Sequence, residues 1–77
     1  MITVYTKKPC PQCEAVKAQL TANNIPFEEK PIDDWALSMA RENGWTSAPI
    51  VIDYQHPELS FAGLNRNALT ALIEANK

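Results

Sequence analysis

The feature that most restricts this chain is Cys10-Pro11-Gln12-Cys13, set where a strand pattern gives way to a helix pattern. Ahead of it runs Ile2-Thr3-Val4-Tyr5, β-branched and aromatic residues in alternation, the signature of a β-strand over residues 2–6. A polar turn, Thr6-Lys7-Lys8-Pro9, leads to the motif, and Pro11 then opens a helix predicted to reach about Thr21. Proline suits the first helical position because its missing N–H would be unpaired there and its φ already fits. Cys10 thereby becomes the N-cap, its sulfur beside the free N–H groups and the positive end of the helix dipole. That setting favours a thiolate, the form of cysteine that attacks disulfides. Lys7 and Lys8 add nearby positive charge of small weight at the surface.

Cys13 is placed differently by the same helix. It precedes Val16 by three residues and Leu20 by seven, so the three share the apolar face. The register therefore makes Cys10 the exposed nucleophile and Cys13 the shielded partner that resolves a mixed disulfide.

Seventy-seven residues make one domain, 1–77, at the lower end of independent stability. A hydrophobic fraction of 45% argues against disorder. The net charge of −2 and the scattered Lys and Arg residues lack the basic footprint of a nucleic-acid binder. The longest apolar run, Ala48 to Ile52, contains a proline and falls far short of a membrane span. Met1-Ile2-Thr3 enters a strand with neither a basic n-region nor an apolar h-region, so no signal peptide is expected. A bridge between Cys10 and Cys13 would close too short a loop to constrain the unfolded chain much. That spacing suits redox switching more than stapling, and a cytoplasmic monomer is the expectation.

Taken in order, helix one should end near Asn23-Asn24, with asparagine as a left-handed cap. Ile25 to Ile32 reads as a second strand, kept at a sheet edge by Pro26 and Pro31. Strand, helix and strand with short joins predict a parallel pair. Asp33 or Asp34 caps a second helix to about Asn43, where Trp35, Leu37, Met39 and Ala40 form a broad apolar stripe. Gly44 stops that helix. Residues 45–49 form a loop, and Ile50-Val51-Ile52 is a central strand. After a polar turn over Tyr54 to Glu58, Leu59-Ser60-Phe61 is a brief, antiparallel fourth strand. Asn65 caps a last helix whose apolar positions are Leu69, Leu72 and Ile73. The fold class is α/β, one mixed four-stranded sheet flanked by three helices on its two faces.

Three segments together resemble the small glutaredoxin-like redoxins, and most of all their NrdH-redoxin branch. They are Val4-Tyr5-Thr6-Lys7-Lys8-Pro9-Cys10-Pro11-Gln12-Cys13, Ser47-Ala48-Pro49-Ile50-Val51 and Phe61-Ala62-Gly63-Leu64. The resemblance spans essentially the whole chain. It implies a thioredoxin-like fold and a redoxin that reduces protein disulfides as hydrogen donor to ribonucleotide reductase. It also implies recharging by a thioredoxin reductase at the expense of NADPH, with no bound cofactor. Carried onto these positions, it makes Cys10 attacking and Cys13 resolving, and makes Ala48-Pro49 a cis peptide whose Ala48 backbone pairs with substrate. It implies substrate contacts at Lys7, Pro11, Gln12, Ala48, Pro49, Phe61, Gly63 and Leu64. Pro11 is the glutaredoxin-like choice and Gln12 that of the NrdH branch. Where glutaredoxins carry Gly-Gly and an acidic pair for glutathione, this chain reads Ala62-Gly63-Leu64-Asn65-Arg66. Where the NrdH branch has Trp-Ser-Gly-Phe, it reads Phe61-Ala62-Gly63-Leu64, and Val4 stands where thioredoxins bury an acid.

Other readings of the same residues are a glutathione-dependent glutaredoxin and a non-catalytic module in which two chains share a metal or iron–sulfur cluster through these cysteines. Zinc wants four ligands, and the single histidine, His56, sits alone between Gln55 and Pro57 as a solvated turn residue. Trp35 and Trp45 are expected as core and loop-anchoring aromatics. Phe61 and Leu64 read equally as core or as an apolar rim around Cys10, and Arg66 is an unfavourable charge for a helix start.

Overall fold

Strand β1, Ile2–Thr6, is buried along its whole length, which marks it as a strand covered on both faces. The computed structural model, which describes residues 1–77, places it inside a four-stranded sheet of order β2-β1-β3-β4. It pairs in parallel with β2, Phe27–Pro31, and antiparallel with β3, Ile50–Asp53. A two-residue strand β4, Phe61–Ala62, closes the far edge antiparallel to β3. Three helices complete the chain: α1, Pro11–Ala22; α2, Asp34–Asn43; and α3, Arg66–Ala75. The mixed sheet and its helices match the expected thioredoxin-like architecture. None of the helices is long and apolar enough to cross a membrane.

Side-chain alternation divides the core between the two sheet faces. Ile2, Val4 and Val51 point one way and meet Val16 and Leu20 of α1 and Leu69, Leu72 and Ile73 of α3. Tyr5, Ile50 and Ile52 point the other way and meet Ala36 and Ala40 of α2. Fully burying one such aliphatic side chain is worth about 1.5–3 kcal/mol, so this first cluster dominates the stability. The predicted caps are in place. Asp33 and Asn65 side chains accept from the backbone N–H groups of Ala36 and Ala68 at 2.8 and 3.0 Å. Asn24 and Gly44 hold the positive φ angles that end α1 and α2, at 58° and 69°.

Four expectations need correction. β2 is shorter than residues 25–32, because the Ile25 N–H is spent on the Leu20 carbonyl at 2.9 Å, ending α1. β4 begins at Phe61 rather than Leu59. Residues Pro57–Leu59 form a 3₁₀ turn in which the Leu59 and Ser60 N–H groups bond back to His56 and Pro57. In α2 the buried positions are the alanines, while Trp35 and Leu37 stay exposed. Small residues let α2 lie close on the sheet, and Trp35 is left at its flank, 5.9 Å from the Tyr5 ring and 6.3 Å from Tyr54. His56 is not merely solvated, since its Nδ1 lies 3.1 Å from the fully buried Asp53 carboxylate. Trp45 anchors its loop as expected, half-buried against the α2-side cluster.

Candidate active site

Both cysteines follow from the start of α1. Pro11 occupies the first turn, Cys10 caps it in extended conformation, and the Cys13 N–H donates to Cys10 Sγ at 3.1 Å. The two are joined as a disulfide with a Cα–Cα separation of 5.2 Å. Their environments differ as the helix register requires. Cys13 is 1% exposed beside Val16 and Leu20, whereas Cys10 is partly open to solvent. Once the bond is reduced, a backbone N–H and a helix start directed at Cys10 favour its ionised form.

Cys10 opens onto a groove lined by Lys7, Pro9, Pro11, Gln12, Thr46, Ser47 and Ala48. The Ala48-Pro49 peptide bond is cis, as the resemblance implied, and Lys8-Pro9 is cis as well, which the sequence reading did not anticipate. Pro49 itself is buried, and its carbonyl accepts the Gly63 N–H at 2.8 Å, tying the end of β4 to this loop. Gly63 holds φ at +74° and approaches so closely that a Cβ there would lie 3.0 Å from Ser47 Cβ. Gln12 Oε1 would be 3.9 Å from the same atom.

The expected site residues thus divide into two groups. Lys7, Pro11, Gln12 and Ala48 line the groove with Cys10, and Pro49 and Gly63 bond to each other behind its wall, Gly63 beside Ser47. Phe61 does neither, being 4% exposed inside the α1–α3 core. Leu64, 38% exposed, faces a separate groove between α1 and α3 with Ala15, Ala18 and Arg66. The apolar-rim reading therefore fails for Phe61, because alternation along β4 turns it inward beside Val51. Pro9, Thr46 and Ser47 also line the groove; Pro9 and Ser47 fall within the resembling segments, and Thr46 lies just ahead of the second.

A second groove shares Lys7, Pro9, Cys10 and Pro11 with the first and adds Lys8 and Glu14. Here charge is organised by Lys17, whose Nζ lies 2.7 Å from Glu14 and 3.0 Å from Glu29 of β2. Glu29 also accepts the Thr6 hydroxyl at 3.1 Å. The hydrogen bonds to Glu14 and then Glu29 raise the Lys17 pKa, and those from Lys17 and then Thr6 lower that of Glu29.

Comparison with known proteins agrees with this arrangement. The glutaredoxin family model matches residues 2–56. Glutaredoxin 3 of Escherichia coli K12 is 41% identical over 59 residues, 71% of each chain. The glutaredoxin-like protein NrdH of Lactococcus lactis subsp. lactis is 32% identical over 74 residues, covering 94% of this chain and 99% of its own. Among solved structures, the NrdH-redoxin of Escherichia coli superposes with a TM-score of 0.75 at 30% identity over 92% of both chains. A mutant of a thioredoxin-like protein gives 0.69 at 29% identity, over 95% of this chain and 94% of its own.

Proposed function

This chain belongs to the glutaredoxin family of thiol–disulfide oxidoreductases, and on that footing we propose that Cys10 attacks and Cys13 resolves in the reduction of protein disulfides. The Cys10 thiolate bonds to one substrate sulfur, and the other substrate sulfur leaves as a thiolate and takes up a proton. Cys13, deprotonated, then attacks Cys10 Sγ and releases the second substrate thiol. Two electrons and two protons pass from the dithiol to the substrate, and Cys10–Cys13 is left oxidised. The two sulfurs carry the electrons, so no bound cofactor enters. The observation that carries the assignment is the inequality of the pair: Cys10 caps α1 on a groove, and Cys13 lies beneath it at 1% exposure.

The physiological role proposed is hydrogen donor to ribonucleotide reductase, with the dithiol restored by thioredoxin reductase and NADPH in the cytoplasm. Likeness to NrdH proteins along almost the full chain supports this. So does the description of the E. coli NrdH-redoxin as a glutaredoxin-like protein with a thioredoxin-like activity profile. The start of α3 points the same way. Asn65-Arg66 stands where an acidic pair would hold glutathione. On this reading Lys7, Pro11, Gln12, Gly63 and the Ala48-Pro49 backbone receive the substrate chain. Leu64, away from Cys10 beside Arg66, is proposed to touch the larger protein partner. The identity with glutaredoxin 3 favours one competing reading, in which glutathione is the reductant.

The test mixes oxidised protein with NADPH and thioredoxin reductase, and separately with glutathione, glutathione reductase and NADPH, while NADPH loss is followed. Turnover in the first mixture alone is expected. Turnover in the second alone would replace this reading with the glutathione-dependent one.

A further inference from the structure

The second groove beside Cys10 holds a charge arrangement that the disulfide chemistry does not require. Lys7 and Lys8 are exposed and neither pairs with a carboxylate of the chain. Glu14 lines the same groove as Cys10 and is 74% exposed at its side chain. Unopposed, it would repel both an acidic substrate and the developing thiolate. Lys17 prevents this from one helical turn below, with its Nζ at 2.7 Å from Glu14. It is itself held to the sheet, since Glu29 lies 3.0 Å away and is fixed in turn by the Thr6 hydroxyl at 3.1 Å. The Lys17 stem packs along the helix surface, its side chain 18% exposed, while the ammonium spans the two carboxylates at the water-facing edge.

We propose that Lys17, acting through Glu14, adapts the groove beside Cys10 to protein disulfides flanked by acidic residues. The proposal rests on the reading of Cys10 as the attacking sulfur and names the substrate class of that site. Lys7, Lys8 and Glu14 line this groove and Lys17 and Glu29 stand behind Glu14, so together they leave one positive charge on this side of the site, on a chain whose total is −2. The opposite groove wall, Thr46-Ser47-Ala48, contributes no charge. A polypeptide lying across Pro9-Cys10-Pro11 would set one arm against Ala48 and the other against Lys8 and Glu14, with Lys7 bordering both. Acidic residues on that second arm meet a net attraction, and basic ones a net repulsion. Lys17 is a positioning residue here, not a catalytic one.

The experiment measures single-turnover reduction of two disulfide-bridged peptides by the reduced protein, one with aspartate beside each cysteine and one with lysine. Hydroxyethyl disulfide, which is neutral, serves as a third substrate. At low ionic strength the acidic peptide should react about tenfold faster than the basic one. That ratio should shrink to less than about twofold in 1 M salt, where the screening length is about 3 Å. Lys17→Met removes the positive excess and should bring the low-salt ratio close to one. Glu14→Gln should raise it above the wild-type value. The Lys17→Met/Glu14→Gln double variant restores the net charge and should restore the wild-type ratio, an outcome that a purely structural role for Lys17 would not give. Equal ratios in all four proteins, or movement of both single variants in the same direction, would overturn the proposal with the dithiol chemistry intact. If the reduced wild type left all three disulfides unreacted, the reading of Cys10 itself would fall.

Discussion

Gly63 and Gly44 share almost the same backbone conformation, φ of +74° and +69°, yet replacing each with alanine should have different consequences. A left-handed φ costs an L-residue roughly 1–2 kcal/mol relative to glycine, and both variants bear that cost. At Gly44 nothing lies within 4 Å of the added Cβ, so the loss should stay near 1 kcal/mol. At Gly63 the new methyl would stand 3.0 Å from Ser47 Cβ. Relief requires the 46–49 loop to give way or the 2.8 Å bond from the Gly63 N–H to the Pro49 carbonyl to lengthen. Overpacking of this kind adds about 1 kcal/mol or more, for a total near 2–3 kcal/mol. In a domain of this size each kcal/mol lowers Tm by about 4–8 °C. Thermal melts followed by circular dichroism should therefore show a drop of about 5 °C for Gly44→Ala and about 10–20 °C for Gly63→Ala. Because the displaced loop carries Ala48, Gly63→Ala should also slow reduction of a peptide disulfide by at least about tenfold at a temperature where both variants are folded. Gly44→Ala should react at the wild-type rate. Equal melting shifts together with an unchanged rate for Gly63→Ala would refute the claim that this glycine holds the substrate-facing loop.

Two further outcomes follow from the site and from the buried acid. Cys13→Ser should accumulate a stable mixed disulfide through Cys10 that mass spectrometry detects, whereas Cys10→Ser should form none, since its remaining sulfur is 1% exposed. Burial alone would raise the Asp53 pKa, but hydrogen bonds from Asn76, from His56 and from the backbone N–H groups of Gln55 and His56 outweigh it and hold it below its ordinary value of 3.8. A carboxylate depressed in the folded state adds stability that is present above pH 3.8 and is lost as pH falls toward its folded value. Asp53→Ala should thus cost about 2–4 kcal/mol at pH 7 by urea unfolding, and its stability should fall less steeply than wild type below pH 4.

How much of this was legible beforehand depends on how far apart in the chain the relevant groups lie. The N-cap role of Cys10, the burial of Cys13 with Val16 and Leu20, and the caps at Asp33, Gly44 and Asn65 are set within one or two helical turns. Periodicity and capping chemistry act over that range, so the residues themselves disclose them. The same holds for the apolar run at Ile50 to Ile52, whose composition needs a place covered on both faces.

What the chain's order could not disclose arises where distant segments meet. Nothing about Phe61 and Leu64 distinguishes core from rim until β4 pairs with β3 and turns Phe61 inward. Trp35 reads as a core residue by type, and only the close seat of Ala36 and Ala40 on the sheet leaves it outside. Asp53 is only three residues from His56, but its burial, which the Asn76 side chain 23 residues further on supports, belongs to the folded sheet. Lys17 and Glu29 are 12 apart and become partners only when β2 lies beside β1 under α1. A residue's own chemistry and its near neighbours fixed the reactive pair. Its choice of disulfide depends on which charges the folded sheet brings to the helix mouth, and that is a property of three-dimensional proximity alone.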